Sequence, residues 1–163
     1  MSSEDARPRD EAGHKPTLYL AGPVAHVDDH GVGWRETVAE TAHSFETANP
    51  LDKYNVGLDD LAIVHDGESG DGEVTPAEIV TNDKRLIDES DAILVGYEAV
   101  RMTGTPMEVQ YAFGTPKPVV LWIRDDTDLE ALSPWWHHHV SAIEESLTSA
   151  LWQLRQRTGV STQ

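Results

Sequence analysis

Two acidic residues lie where their surroundings predict chemistry, and the first of them is Asp83. It falls on the line Ile79, Asp83, Ile87, whose spacing of four puts the three side chains on one face of a helix. The helix therefore carries a carboxylate in its apolar stripe, where burial is costly unless the group is paired or functional. Asp83 is either a functional acid or a buried partner, for example of Arg35.

The second acidic residue is Glu108, in the stretch Thr105-Pro106-Met107-Glu108. A Thr followed by Pro and, three residues on, by Glu predicts a helix N-terminus with a capping box, in which the Glu side chain accepts a backbone hydrogen bond. This interpretation makes Glu108 the third residue of its helix and needs no catalytic role. Its position after a loop at a predicted ligand-binding edge also allows a catalytic carboxylate, so both interpretations stay open.

The residue types that commonly bind metals or cofactors form no recognisable site. The chain has no cysteine, which excludes disulfides, thiolate metal sites and a cysteine nucleophile. His137, His138 and His139 are consecutive and cannot all face one ion on regular structure, so they predict a polar helix entry beside Trp135 and Trp136. The glycines after the first strand match neither the dinucleotide fingerprint nor the phosphate-binding loop. We therefore expect no metal and no cofactor.

The charge of the chain excludes a further class of function. Lys and Arg number 12 against 29 Asp and Glu, a formal net charge of −17, which leaves too few cations for a nucleic-acid-binding face. No apolar run approaches the ~20 residues of a membrane span and the N-terminus is not a signal peptide, so we expect a cytoplasmic protein without a membrane partner. The acidic, lysine-poor composition is typical of a surface built for high salt and predicts a halophilic source.

The elements that must position Asp83 and Glu108 alternate between strand and helix. Apolar runs predict strands at 17–21, 45–48, 92–97 and 118–123. Helical spacing and caps predict helices at 34–44, from 76 to about 90, and from about 105 to about 114. A stripe predicts a last helix that ends at Gly159; its members are Val140, Ile143, Leu147, Leu151 and Leu154. Residues 51–74 are predicted to be a long connection with one helical turn near 58–64.

These elements predict an α/β open parallel sheet of about five strands with helices on both faces. We expect a disordered arm at 1–15, a single domain at 16–158 and a frayed tail at 159–163. In such sheets ligands bind at the carboxyl ends of the strands. Three segments, 21–34, 49–74 and 98–108, therefore share one ligand-binding edge.

Taken together, these pieces resemble the nucleoside 2-deoxyribosyltransferase family and its relatives that hydrolyse nucleoside 5′-monophosphates. The resemblance covers about residues 17–123 and rests on the order and spacing of several short motifs. They are Tyr19-Leu20-Ala21-Gly22-Pro23, Trp34-Arg35, Asn49-Pro50, Asp83 with Asp91 before the strand at 92–96, and Gly104-Thr105-Pro106-Met107-Glu108.

The resemblance implies a flavodoxin-like sheet and a retaining mechanism at the anomeric carbon. It makes Glu108 the nucleophile, Asp83 the acid near the sugar and leaving base, and Tyr19 the aromatic that borders the nucleophile. A second, protonated group can assist the departing base, and Asp83 on an apolar stripe suits that role. The implied substrate-binding residues in the first half of the chain are Gly22, Pro23, Trp34 and Asn49.

One departure from the family pattern bears on the substrate. Transferases of the family tend to have an acid six residues before the nucleophile, whereas the monophosphate hydrolases have a Ser; here the residue is Met102. The surrounding loop could instead bind a 5′-phosphate through Arg101, Thr103, Gly104 and Thr105. In the family a neighbouring subunit also completes the site, and Ser133 is the candidate for that role, which implies a homodimer or larger homo-oligomer.

The function expected from these residues is cleavage of the N-glycosidic bond of a (deoxy)nucleoside or its 5′-monophosphate. The (deoxy)ribosyl group passes through a covalent ester on Glu108 to another base or to water. The alternative is a nucleotide-binding module without turnover, in which Glu108 is only a cap and Asp83 only a buried partner.

Overall fold

A computed structural model of the protein describes residues 15–54 and 57–160. The predicted arm at 1–15 lies outside these residues except for Lys15, and so does the predicted tail beyond Val160. No helix in the described part of the chain is long and apolar enough to cross a membrane.

Strands and helices alternate along the chain, with two very short strands inserted after the second. The strands are β1 (Thr17–Ala21), β2 (Glu46–Ala48), β3 (Ala62–Ile63), β4 (Glu73–Val74), β5 (Ala92–Tyr97), β6 (Val119–Ile123) and β7 (Ala142–Glu144). The helices are α1 (Val32–Thr41), α2 (Pro76–Glu89), α3 (Gly104–Phe113), α4 (Pro134–His139) and α5 (Leu147–Thr158).

The main sheet has five parallel strands in the order β2-β1-β5-β6-β7. If only these five strands are counted along the chain, the order is 2-1-3-4-5, which is that of the flavodoxin-like fold. The predicted open parallel sheet is confirmed. The order reverses between β1 and β5, where Ala21 pairs with Val95, and ligands bind at such a switch point in this class of sheet.

Helices cover both faces of the sheet because successive strand residues point to opposite sides. Leu18 and Leu20 of β1 pack in a cluster with α1 and α5. Tyr19 and Ala21 pack in a second cluster with Ile87 of α2 and with α3. The alternation in β1 therefore sends Tyr19 to the face that carries the predicted acidic residues.

The last predicted helix is wrong in its first part. Val140 and Ile143 were expected on the stripe of one helix, but Ile143 lies in β7 and the helix begins only at Leu147, after the N-cap Ser146. β7 has three residues, which is too short for strand alternation to be distinguished from helical spacing. The C-terminal end at Gly159 is confirmed, with Gly159 in the left-handed conformation at φ 74°.

The predicted capping box at Glu108 is also wrong. α3 begins at Gly104, so Glu108 is its fifth residue and not its third, and among the described residues no side chain caps its N-terminus. The equivalent prediction for α2 is confirmed: Thr75 accepts from the backbone of Glu78, and the Glu78 side chain accepts from the backbone of Thr75.

The long connection at 51–74 contains more structure than expected. A 3-10 helix at Pro50–Lys53 follows β2, and a second at Leu58–Asp60 overlaps the predicted turn. β3 and β4 then pair in parallel as a separate two-stranded sheet. The first of these 3-10 helices lies at the carboxyl end of β2, beside α2.

Candidate active site

Glu108 and Tyr19 meet at the centre of the candidate site. The Tyr19 hydroxyl donates a hydrogen bond of 2.5 Å to Oε2 of Glu108. Tyr19 is fully buried on β1, and Glu108 is partly buried on the first turns of α3. Glu108 therefore points toward the sheet, where its side chain cannot serve the backbone of its own helix.

The surroundings of Glu108 shift its pKa toward neutral pH. Burial, with a smaller contribution from the Asp83 charge, raises the pKa of Glu108 to about 7, against the opposing effects of the Tyr19 hydrogen bond and of the Arg35 and Lys53 charges. Burial and the neighbouring carboxylates hold the pKa of Tyr19 far above its ordinary value. Tyr19 therefore stays protonated and donates to Glu108, whereas Glu108 changes its charge near neutral pH.

Asp83 is paired with a residue that the sequence analysis did not single out. Lys53 Nζ lies 2.5 Å from Oδ1 of Asp83, and the two side chains are 17% and 19% exposed. The suggested pairing of Asp83 with Arg35 is wrong. Arg35 donates instead to the carbonyl oxygens of Leu20, Gly22 and Gly31.

Lys53 is positioned by the chain that leaves β2. Asn49 caps the 3-10 helix by accepting from the backbone of Leu51, and Lys53 at the end of this helix donates to the Pro50 carbonyl at 2.7 Å. One signal in the sequence could have found Lys53. It is one of only four lysines and lies in a segment predicted to share the ligand-binding edge.

Arg35 supports the loop after β1 from the other face of the sheet. Its side chain is 1% exposed, and burial lowers its pKa to about 10, so it remains charged at neutral pH. Its guanidinium lies over Trp34, and the Trp34 ring packs so closely on Gly22 that a Cβ there would come within 2.7 Å of it. Trp34, Gly22 and Pro23 are all buried. Trp34 belongs to the core cluster on the face opposite Tyr19.

A cavity of about 960 Å³ opens between α2, α3 and α4. Its size fits a small-molecule site. Five of the predicted site residues line it together: Asp83, Thr103, Gly104, Glu108 and Ser133. Met102, which replaces the acid or Ser of the family pattern, lines it as well.

The other predicted binding residues lie elsewhere in the described chain. Arg101 is exposed on the loop before α3, and Thr105 is buried in the first turn of that helix. Neither is among the described residues that line the cavity. Ser133 caps α4 by accepting from the backbone of Trp135, so its hydroxyl already has one structural partner.

The fold and these residues match a known family along most of the chain. A family model described as nucleoside 2-deoxyribosyltransferase matches residues 18–152, a span that contains Tyr19, Lys53, Asp83 and Glu108. The chain belongs to the nucleoside 2-deoxyribosyltransferase family. The resemblance inferred from the short motifs is confirmed, and it places the chain among enzymes of glycosyl transfer.

Solved structures support the fold of this deoxyribosyltransferase-family chain. One is a conserved protein from Enterococcus faecalis V583, with a TM-score of 0.63, 16% identity, and coverage of 88% of this chain and 99% of the other. Another is a 2-deoxyribosyltransferase from Bacillus psychrosaccharolyticus, with a TM-score of 0.60, 16% identity, and coverage of 82% and 88%. No curated protein sequence matches the chain.

The arrangement can perform one kind of chemistry particularly well. A partly buried carboxylate that ionises near neutral pH, next to a protonated hydroxyl and a second acid, is suited to nucleophilic attack at an electron-poor carbon. Within residues 15–54 and 57–160, no group of three or more His, Asp or Glu side chains is placed to hold a metal ion.

Proposed function

We propose that the chain cleaves the N-glycosidic bond of a nucleoside or its 5′-monophosphate through a covalent ester between Glu108 and the sugar. The observation that carries the proposal is the hydrogen bond from the buried Tyr19 hydroxyl to Glu108, at the wall of a cavity that Asp83 also lines. A glutamate that only capped its own helix would not need a hydrogen-bond donor on β1. The family match supplies the class of reaction.

The proposed first step uses the ionised form of Glu108. One carboxylate oxygen attacks C1′ of the sugar, the C1′–N bond breaks, and its electron pair leaves with the base. Tyr19 holds the other oxygen and keeps the carboxylate oriented for attack. Asp83 acts on the side of the leaving base. In the second step, another base or water attacks C1′ and releases Glu108.

The proposed substrate includes the 5′-monophosphate because of the residue at position 102. Met102 lines the cavity and cannot bind a sugar hydroxyl as an acid would. Thr103 and Gly104 line the same wall and offer a hydroxyl and a backbone N–H at the start of α3, where a helix favours anions. Arg101 is exposed on the adjoining loop.

We further propose that a second copy of the chain closes the cavity. Large apolar side chains are exposed on the three helices around it: Val80, Met107, Phe113 and Trp135, with exposures of 49%, 67%, 44% and 74%. A surface of this kind is typical of a subunit interface. Sedimentation should give a mass above the 18.0 kDa of one chain, and a fully active monomer would contradict the shared site and the role of Ser133 in it.

The experiment that tests the function is release of free base from a panel of ribo- and deoxyribonucleosides and their 5′-monophosphates. Each is assayed with and without a second free base, which separates transfer from hydrolysis. Because the net charge is −17, the assays are run in dilute buffer and in molar salt, which also tests the proposed halophilic character.

A trapping experiment tests the intermediate. A 2′-fluoroarabinosyl analogue destabilises the oxocarbenium-like transition state, so the ester accumulates. We expect the intact mass to rise by one fluorosugar or fluorosugar phosphate, and peptide mapping to place the adduct on Glu108. Tight nucleotide binding without release of base from any substrate would instead favour a binding module.

A further inference from the structure

The loop at 98–103 joins the end of β5 to the start of α3 and supplies part of the wall of the cavity. Its last two residues, Met102 and Thr103, line the cavity together with Gly104 and Glu108. Among the described residues no side chain caps the N-terminus of α3, so a capping contact does not fix the end of the loop. The contacts at the beginning of the loop therefore determine where this wall lies.

The end of β6 holds the beginning of the loop. Tyr97 and Ile123 form the last pair in the register of β5 and β6. Beyond this pair, the backbone N–H of Arg124 donates to the carbonyl oxygen of Tyr97 at 2.8 Å. Oδ2 of Asp125 then accepts a hydrogen bond of 2.7 Å from the backbone N–H of Ala99. The chain after β5 and the chain after β6 thus remain joined past the end of the sheet.

The Asp125 carboxylate is itself fixed in place. Its second oxygen, Oδ1, accepts from the backbone N–H of Thr127 at 3.0 Å, so each carboxylate oxygen has its own donor. Partial burial acts to raise the pKa of Asp125, but the hydrogen bonds from Thr127 and Ala99 outweigh it and hold the pKa below its ordinary value. Asp125 is therefore ionised at neutral pH and can accept from both donors.

Arg124 connects the loop to the other face of the sheet. Its guanidinium donates to the carboxylate of Glu98, the first residue of the loop. The same guanidinium lies 5.6 Å from the ring centroids of Trp34 and Trp122, which pack in the cluster with α1 and α5. The loop is therefore anchored to the part of the core that lies on the face opposite Tyr19.

We propose that Asp125 and Arg124 are positioning residues, which hold the 98–103 loop so that Met102 and Thr103 form the cavity wall against the substrate. The inference rests on the proposed function and adds to it the residues that determine substrate affinity. Neither residue needs to touch the substrate, because each acts on it through the loop.

The nucleophile is positioned independently of this loop. Glu108 is held by the hydrogen bond from Tyr19 on β1, and neither residue is a contact of Asp125 or Arg124. Loss of the anchor should therefore weaken the binding of substrate while the bound substrate still meets an oriented carboxylate. Such a change raises KM and leaves kcat nearly unaltered.

The main test is Asp125→Ala, which removes both acceptors of the anchor. It is assayed with whichever substrate of the panel the wild type cleaves fastest. We expect KM to rise about tenfold and kcat to stay within about threefold of the wild type. The pH at which kcat/KM falls in acid should not move, because this pH reports the ionisation of Glu108 near pH 7.

Three further variants make the result specific. Asp125→Asn keeps one acceptor oxygen and so one of the two backbone hydrogen bonds, and KM should rise only about two- to fivefold. Asp126→Ala removes the same charge from the adjacent exposed residue, whose side chain has no hydrogen-bond partner within residues 15–54 and 57–160, and should leave KM unchanged. Glu98→Gln weakens the contact with Arg124 and should also raise KM, and it carries the test if Asp125→Ala does not fold.

Calorimetry gives a readout that does not depend on turnover. In the background of Glu108→Gln, which cannot form the ester, the Kd of the intact substrate should rise about tenfold on adding Asp125→Ala. Adding Asp126→Ala should leave this Kd unchanged. An unchanged Kd with Asp125→Ala, or an equal rise with Asp126→Ala, overturns the role of the anchor.

The outcomes separate this inference from the function on which it rests. If the wild type releases base but Asp125→Ala lowers kcat at unchanged KM, or moves the pH limb, the positioning role fails and the function stands. If the wild type releases no base from any substrate, the proposed function fails. Binding of nucleosides and their 5′-monophosphates then decides the inference: weaker binding to Asp125→Ala than to the wild type supports it, and equal binding or none overturns it.

Discussion

The same four-residue pattern occurs twice in this chain, and its two copies do opposite things. Thr75-Pro76-Ala77-Glu78 opens α2, and Thr105-Pro106-Met107-Glu108 lies in the first turns of α3. Both patterns correctly predict the presence of a helix start. They do not predict what the glutamate side chain contacts, and the proposed function depends on that difference.

In the first copy the glutamate serves its own helix. Glu78 completes the capping box with Thr75 at the surface of the protein. The backbone N–H of Thr75 and the hydroxyl of Ser69 donate to it, and these contacts hold the pKa of Glu78 below its ordinary value. A carboxylate in this environment is ionised and stabilising at neutral pH, and it has no means to become reactive.

In the second copy the glutamate is turned away from its helix. α3 begins one residue before Thr105, so Glu108 is too far along the helix to reach its N-terminus. The Tyr19 hydroxyl donates a hydrogen bond to Oε2 of Glu108 instead, and burial raises the pKa of Glu108 to about 7. The strand packed beneath α3, and not the pattern that starts this helix, therefore determines what the Glu108 side chain contacts.

The largest effect should come from removing the two carboxylates in turn. Glu108→Gln keeps the shape and the acceptor for Tyr19 but cannot form the ester, so turnover should fall by at least about 10⁴-fold. Glu78→Gln should leave kcat/KM within about twofold of the wild type. Base release measured for both variants checks the pair, and an active Glu108→Gln would end the proposal of a nucleophile.

The second-largest effect concerns the hydrogen bond from Tyr19 to Glu108, which the first copy of the pattern lacks. Glu108 must lose its proton to attack, so kcat/KM of the wild type should fall as the pH drops through about 7. Tyr19→Phe removes a hydrogen bond that lowers the pKa of Glu108, so this limb should move to higher pH, and the maximal rate should fall about 10- to 100-fold. A pH profile with an unmoved limb would mean that Tyr19 does not set the ionisation of Glu108.

The two glutamates should also affect stability with opposite signs. The folded-state pKa of Glu108 is raised, so its contribution is present below about pH 4.5 and is lost as the pH rises through about 7. Glu108→Gln should therefore unfold with a free energy about 1 to 3 kcal/mol higher than the wild type at pH 8, and with little difference at pH 4.

Glu78→Gln is the matched control for that measurement. The folded-state pKa of Glu78 is lowered, so its contribution is present above the unfolded pKa and is lost in acid. This variant should be less stable than the wild type at neutral pH and equal to it at low pH. Denaturant unfolding at pH 8, at pH 4 and in more strongly acidic buffer gives both differences, and the same sign for the two variants at pH 8 would contradict the comparison.

The smallest effect concerns the threonines that precede the two helices. Thr75→Ala removes the N-cap hydrogen bond to Glu78 and should lower the free energy of unfolding by about 1 kcal/mol. Thr103 is the N-cap of α3, and its side chain accepts no capping hydrogen bond, so Thr103→Ala should change stability very little. An equal loss at both positions would show that α3 has a side-chain cap after all.

The sequence by itself determined the parts of the protein that depend on neighbours along the chain. Buried strands of apolar residues, the cap of α2 and the terminal Gly159 follow from local periodicity and backbone chemistry, and they are enough for an open parallel sheet. The order of short motifs was enough for the family, and it singled out Tyr19, Asp83 and Glu108. The last strand, β7, was not predicted because three residues are too few to show a clear strand period.

Only the tertiary structure decided what these residues contact. Tyr19 and Glu108 are 89 positions apart, and Lys53 and Asp83 are 30 apart, so no local pattern could pair them. Each pairing depends on strand order and on which face of β1 packs against α2 and α3. Glu108, which the sequence pattern predicts as a helix cap, is buried there and titrates near neutral pH. Desolvation depends on where a group lies in the folded structure and not on where it lies in the sequence.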